Sequence, residues 1–204
     1  MFGKVASDLL GLSDVGAVIK PQDYDKVDAD DYIMHEDQEK IYFLIKSKTD
    51  EYCFTNKALL HLDGTSAVSK KRTLRRYSYY TNKISGVTLE TAGTVDLDVE
   101  IKFTIGSEVF SIDVHKKHLE ELKDLYKSLI RIQEMSFENE ITLDFAQQSL
   151  NMASTTLSRV SSQETQLVDQ FKEINKVAFN WLVQTKNQYT VKDYGFVFDK
   201  YINN

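Results

Sequence analysis

Proline, cysteine and tryptophan each occur once in the 204-residue chain, as Pro21, Cys53 and Trp181. A single cysteine excludes an intrachain disulfide and any zinc site built on paired thiolates. Long apolar runs are missing as well. The longest candidate, Ile41 to Ile45, has the length of a strand, whereas crossing a bilayer takes about 18–20 residues. The opening stretch MFGKVASDLLGL has one lysine and no extended apolar core, so it is not expected to act as a secretory signal. Glycine is sparse, and no two glycines lie closer than five residues apart, which excludes a glycine-rich phosphate loop. There is no G-x-S-x-G either. What is present is a globular composition: 42% apolar residues, with 11 Tyr and 11 Phe, too many for a disordered chain. The chain is expected to be soluble and cytoplasmic.

The net charge of −6 makes general nucleic-acid binding a poor expectation, but the charge is unevenly placed. Residues 1–69 carry 7 basic and 13 acidic side chains, whereas residues 70–90 carry six basic ones against Glu90 alone. The remaining residues hold 12 basic and 17 acidic. One positive segment therefore sits inside an acidic protein.

Short alternating runs fill the first half. Ile41, Phe43 and Ile45 point one way and Tyr42, Leu44 and Lys46 the other; Leu60 and Leu62 lead into the turn signal Asp63-Gly64. Val99, Ile101, Phe103 and Ile105 alternate with Asp98, Glu100, Lys102 and Thr104. About seven antiparallel strands at ~8–12-residue spacing predict a sandwich or barrel. From Ser107 to Tyr194 there is neither glycine nor proline. Leu119, Leu122, Leu125, Leu129 and Ile132 then form an amphipathic helical face. This order, strands closed by one helix, is that of a pleckstrin-homology domain.

Two heptad-like seams follow: Leu143, Ala146, Leu150, Ala153, Leu157 and Val160, then Leu167, Phe171, Ile174, Ala178 and Trp181. They stay in phase through Glu164, so a single long helix is one reading. The other is a hairpin broken at Ser161-Ser162, where Ser161 and Glu164 form a capping box. The aromatic tail (Tyr194, Phe196, Phe198, Tyr201) is expected to pack on these helices.

The segment TNKALLHLDG (Thr55 to Gly64) resembles the T-[ND]-[KR]-x-L-[LI]-x-x-D strand of bacterial pleckstrin-homology domains. RRYSYYTNKISGVTLETAG (Arg75 to Gly93) and DLDVEIKF (Asp96 to Phe103) resemble the strands that follow in that family. The likeness covers about residues 1–130, and the remainder is similar to the helical oligomerisation region of YvbH-like proteins. It implies a pleckstrin-homology-like barrel that assembles into rings through its strands, with no catalytic residue.

Residues read without that likeness point the same way. Cys53, between Tyr52 and Phe54, is expected to be an inert packed thiol. Asp113, His115 and His118 cluster in sequence, but the two histidines flank Lys116 and Lys117 at a helix start and are expected to be solvated rather than metal-binding. His61 is expected mid-strand with no partner. Asp28, Asp30, Asp31, Glu36 and Asp37 read as a solvated acidic edge. Phe2, Val5, Leu9 and Leu12 fall at helical spacing, suited to packing on the domain or a neighbour, or less well to a membrane surface.

The basic run is the most informative feature. Lys70, Lys71, Arg72, Arg75, Arg76 and Lys83, with Tyr77 and Tyr79, are the candidate surface for an anion or a partner protein. Alternation sends Arg75, Tyr77 and Tyr79 to one face and Arg76 to the other. Leu143, Leu150, Leu157, Leu167, Phe171, Ile174 and Trp181 are the candidate oligomer interface.

The sequence thus predicts an α+β protein. Residues 1–135 form a pleckstrin-homology-like β-barrel or sandwich of about seven antiparallel strands closed by a helix, able to fold alone. Residues 137–204 form an α-helical hairpin used for oligomerisation. It predicts a homo-oligomeric, non-catalytic scaffold with no cofactor, metal or nucleic-acid ligand. Its partners are itself and possibly another protein, with membrane binding weak and nonspecific. The alternative is recruitment to anionic lipid through residues 70–83. Phosphoinositide-binding members of the family use the loop after the first strand, which here is acidic from Glu36 to Glu39. Vesicle pelleting should therefore show only weak, salt-sensitive retention; saturable, headgroup-selective binding at physiological salt would contradict this reading.

Overall fold

The computed structural model describes residues 15–64, 72–91, 98–160 and 167–202, without the side chains of 156–160 and 167–171. The amino-terminal helical pattern of Phe2 to Leu12 lies outside these residues. The chain divides into two units, one comprising Met1–Gln133 with Lys192–Asn204 and the other Glu134–Val191.

The first unit holds two antiparallel sheets. One has five strands in sequence order: β1 (Ala17–Val18), β2 (Ile41–Lys46), β3 (Asp50–Thr55), β4 (Ala58–Gly64) and β5 (Arg72–Ser78). The other has three: β6 (Ile84–Glu90), β7 (Asp98–Ile105) and β8 (Glu108–His115). β2 to β8 are the seven strands expected from alternation; β1, two residues long, is an addition. It links the sheets, because the Gly16 N–H donates to the Asp113 carbonyl at 2.8 Å and Gly16 accepts from His115 at 3.0 Å. A Cβ on Gly16 would stand 2.7 Å from Ile45 and 3.0 Å from the Asp113 carbonyl, so only glycine lets the backbones meet. At the β7–β8 turn, Gly106 has a φ of +63°, which the two-residue hairpin needs.

β7 shows the simplest relation of sequence to burial. Val99, Ile101, Phe103 and Ile105 are buried, and the four residues that alternate with them are half-exposed. The aromatic core lies on this inner face, with Phe103 stacked on Phe110 at 5.1 Å and Phe54 5.9 Å from Phe103. β2 departs from the pattern, since Tyr42, Phe43, Leu44 and Ile45 are all buried. The outer face of this sheet is covered too. Residues 21–37 form three 3-10 turns, Pro21–Lys26, Asp28–Tyr32 and His35–Asp37. They set Val27, Ala29 and Ile33 against Leu44, Cys53, Leu60 and Leu62.

Helix α1 (Leu119–Val160) begins by burying Leu122, Leu125, Leu129 and Ile132, the stripe read from the sequence. It does not stop near Met135 but runs unbroken to Val160. Helix α2 (Leu167–Gln188) follows. The break between them, with Ser161 and Glu164, lies outside the described residues.

The tail is where expectation and structure part. Helix α3 (Gly195–Ile202) packs on the sheet of the first unit. The Phe198 ring stacks on Tyr42 at 5.3 Å and lies 6.3 Å from Tyr79, and Tyr194 meets Tyr79 edge-on at 5.9 Å. Asn56, itself buried, holds the tail by polar contacts: its amide nitrogen donates to Asp193 at 2.6 Å and its carbonyl accepts from the Tyr194 N–H at 2.7 Å. The outer sheet face keeps room for aromatic rings beside the 3-10 turns, and that surface was invisible to periodicity. Phe198→Ala is expected to lower the unfolding free energy of the first unit by about 3–5 kcal/mol. Urea denaturation checks it; a change under 1 kcal/mol would show that the tail is not part of that unit's core.

Candidate functional site

The basic strand β5 is the edge of its sheet and pairs only with β4 among the described strands. Its charges are met within the chain. Arg72 Nη1 lies 3.0 Å from Asp28 and 3.5 Å from Glu51. Arg75 Nη1 donates to Asp63 at 3.1 Å. Arg76 Nη2 donates to the buried Glu39 carboxylate at 2.8 Å. The acids that neutralise the run therefore come from the acidic first third of the same chain. Lys70 and Lys71 lie outside the described residues.

Tyr77 follows the alternation and points into the inter-sheet core, 5.4 Å from Phe110. Tyr79 does not follow it. β5 ends at Ser78, and the ring turns to the outer face with Tyr194 and Phe198, almost fully buried. Burial pushes its phenol well above the ordinary tyrosine value. Neither tyrosine is an exposed stacking platform. The acidic stretch is also not uniformly solvated. Burial on its own raises the Glu39 carboxyl, and hydrogen bonds from Arg76, Thr55 and the Met34 N–H outweigh it, so its pKa is held below the usual glutamate value.

Other single residues have simple structural roles. Cys53 is fully buried, which raises its thiol pKa. His61 has the partner that the sequence did not reveal: its Nε2 lies 3.0 Å from Asp50, and its ring stacks on Tyr52 at 4.6 Å. Burial raises the Asp50 carboxyl, and the His61 and Thr49 hydrogen bonds bring it below the ordinary aspartate value. His115 caps the turn before α1 by accepting from the Lys117 N–H. His118 is largely buried rather than solvated, and burial lowers its pKa.

In the second unit α1 carries two apolar faces. The predicted seam, Leu143 and Leu150 with Ala146, is half-buried, as are Trp181, Leu182 and Ala178 of α2. Ile174 is 43% exposed, and the side chains of Leu157, Leu167 and Phe171 lie outside the described set. A second stripe is bare: Phe137 is 63% exposed, Phe145 63% and Met152 72%, with Ile141 beside them at 37%. At about 100° per residue these four fall within roughly 80° of arc, opposite the seam. α2 likewise exposes Val177, Phe179 and Val183. The i, i+4, i+8 spacing of Phe137, Ile141 and Phe145 is legible in the sequence, but the leucine seam on the same helix is the longer pattern.

A doubly layered antiparallel sheet unit, closed by a helix and carrying a helical insertion with bare apolar faces, is the architecture of a self-associating pleckstrin-homology-like protein. The chain belongs to the bacterial PH domain family, whose pattern it matches over residues 9–133, and residues 144–204 match the YvbH-like oligomerisation region. It is 60% identical to the uncharacterised protein YvbH of Bacillus subtilis (strain 168) over all 204 residues, the full length of both chains. The uncharacterised protein YjqA of the same organism is 33% identical over 95 residues, 46% of this chain and 74% of that one. The crystal structure of a PH-domain-containing protein from Exiguobacterium sibiricum 255-15 superposes with a TM-score of 0.86 at 53% identity, covering 93% of this chain and all of that one.

The Glu39–Arg76 pair gives two measurable consequences. Arg76→Ala leaves a buried carboxylate without its counter-charge, and is expected to cost about 3 kcal/mol in urea unfolding. Glu39 and Asp50 both have depressed pKa values when folded. Their contribution to stability is complete above the unfolded values, about 4, and is lost as pH falls through the lower folded values. The unfolding midpoint should therefore fall as pH drops from 5 to about 3, and less steeply in Glu39→Gln than in the parent. Equal slopes would remove Glu39 from this account.

Proposed function

We propose that this protein is a cytoplasmic, non-catalytic scaffold that assembles into a homo-oligomer through its helical unit, with its sheet unit displayed to partners. The observation that carries this is the bare Phe137–Ile141–Phe145–Met152 stripe on a helix whose opposite apolar face is already half-covered. A row of large exposed apolar side chains marks an interface, and the match to an oligomerisation region over 144–204 supports a second copy as its cover. The half-buried seam of Leu143, Leu150 and Trp181, with Ile174, contributes a further apolar surface to the assembly.

The exposed edge of β5, from Arg72 to Arg75, supplies a second contact between copies. A heterologous contact of this kind builds a ring when the rotation between copies closes. Anionic-lipid recruitment through residues 70–83 is the weaker reading, because Arg72, Arg75 and Arg76 are already committed to Asp28, Asp63 and Glu39.

Native mass spectrometry of the full chain at micromolar concentration tests the proposal. The parent should run as an oligomer. Phe137→Ser with Phe145→Ser should shift it toward monomer, each truncation weakening assembly by about 2 kcal/mol, while circular dichroism keeps the parent's helix and strand signal. A monomeric parent overturns the reading of the whole helical unit. An unchanged mass in the double variant overturns the role of this stripe.

A further inference from the structure

The first unit contains a cleft of about 510 Å³ that the assembly account leaves unused. This lies within the size range of small-molecule sites, roughly 300–1,000 Å³. Its floor is apolar, formed by the buried side chains of Ala17, Ile19 and Val27 with Val18. Its polar wall is basic: four lysines, Lys20, Lys26, Lys46 and Lys117, against one carboxylate, Asp23.

The charges at the cleft are not equally available. Lys26 is paired with Asp23 at 2.6 Å, and Lys46 with the buried Glu51 at 2.5 Å. Lys20 and Lys117 are exposed and have no side-chain partner among the described residues. The wall thus keeps an excess of two positive charges on a protein whose net charge is −6. His118 also lines the cleft. Its Nδ1 faces Glu121 at 3.4 Å, while its Nε2 is buried without a hydrogen-bond partner.

We propose that this cleft binds a small amphiphilic anion, with the acidic head held by Lys20 and Lys117 and the apolar body laid on Ala17, Ile19 and Val27. The two parts of the wall require both features together. A bare inorganic anion leaves the apolar floor wet, and an uncharged chain leaves the lysines unanswered. Arg72, Arg75 and Arg76 contribute nothing here, so the site is separate from the β5 edge and from the helical stripe.

Monomeric decanoate is the probe, titrated by isothermal calorimetry into the full chain at physiological salt. One site per protein chain is expected. Acetate, which has the head alone, and decanol, which has the body alone, should each bind at least about tenfold more weakly than decanoate. Lys20→Glu with Lys117→Glu, both at exposed positions, should weaken decanoate by at least about tenfold, the order expected for reversing two exposed charges. The thermal unfolding midpoint should stay at the parent's value. Phe137→Ser with Phe145→Ser should leave decanoate binding unchanged, which keeps this test independent of the assembly reading.

Absent decanoate binding, or acetate binding as tightly as decanoate, overturns the proposal. So does an undiminished affinity in the double lysine variant. Anionic phosphatidylglycerol vesicles present a head without a free chain; if they pellet the parent but not the double lysine variant, the cleft is a membrane-headgroup site and the proposal for a free amphiphile is wrong.

Discussion

The buried Glu39 carboxylate fastens together parts of the first unit that sequence distance keeps apart. One oxygen accepts from Thr55 on β3 at 2.6 Å and from Arg76 on β5 at 2.8 Å; the other accepts from the Met34 N–H at 3.0 Å. A carboxylate with so little solvent must be paired and hydrogen-bonded to stay charged. Glu51 repeats the device at the second turn, accepting from the Ala29 N–H at 2.9 Å and from Lys46. Anchored at these two points, the 3-10 turns are laid across the outer sheet face, which gives a two-sided sheet and buries Leu44, Cys53, Leu60 and Leu62.

That arrangement explains why a strongly basic strand sits in an acidic chain. β5 answers acids delivered by residues 28–63 of its own chain, so much of the charge contrast seen along the sequence is cancelled in space. The same outer face receives α3 next to the turns. The chain leaves the first unit at Gln133 and re-enters it at Lys192. The helical unit is therefore an insertion in the sequence of the first unit, whose own residues before and after it, the stripe of α1 and Tyr194, Val197 and Phe198, are buried.

Local patterns carried the strands well. β7 alternates strictly because one of its faces meets the core and the other meets solvent, and period two is then legible. The leucine stripe of early α1 was legible for the same reason, at period 3.6. The pattern failed where both faces are covered. Along β2 it predicts one buried face, but Tyr42 and Leu44 are as buried as Phe43 and Ile45. It failed again at Tyr79, where the strand stops and the ring swings to the opposite side. The partners of His61, Arg76 and Asn56 lie 11, 37 and 137 residues away in sequence, beyond the reach of any spacing rule.

The sequence by itself determined the elements: seven alternating strands, a closing helix, a glycine- and proline-free helical region, and motifs that place the chain among bacterial pleckstrin-homology domains. These follow from local geometry, because which face of a strand or helix is apolar is written in the order of residues. Only the tertiary structure decided what each face meets. It spent the basic strand on the chain's own carboxylates, returned the aromatic tail to the sheet, left Phe137, Phe145 and Met152 bare, and gathered Lys20, Lys117 and His118 around an apolar floor. Charge pairing and burial are relations between distant segments, and they exist only once the backbone has brought those segments together.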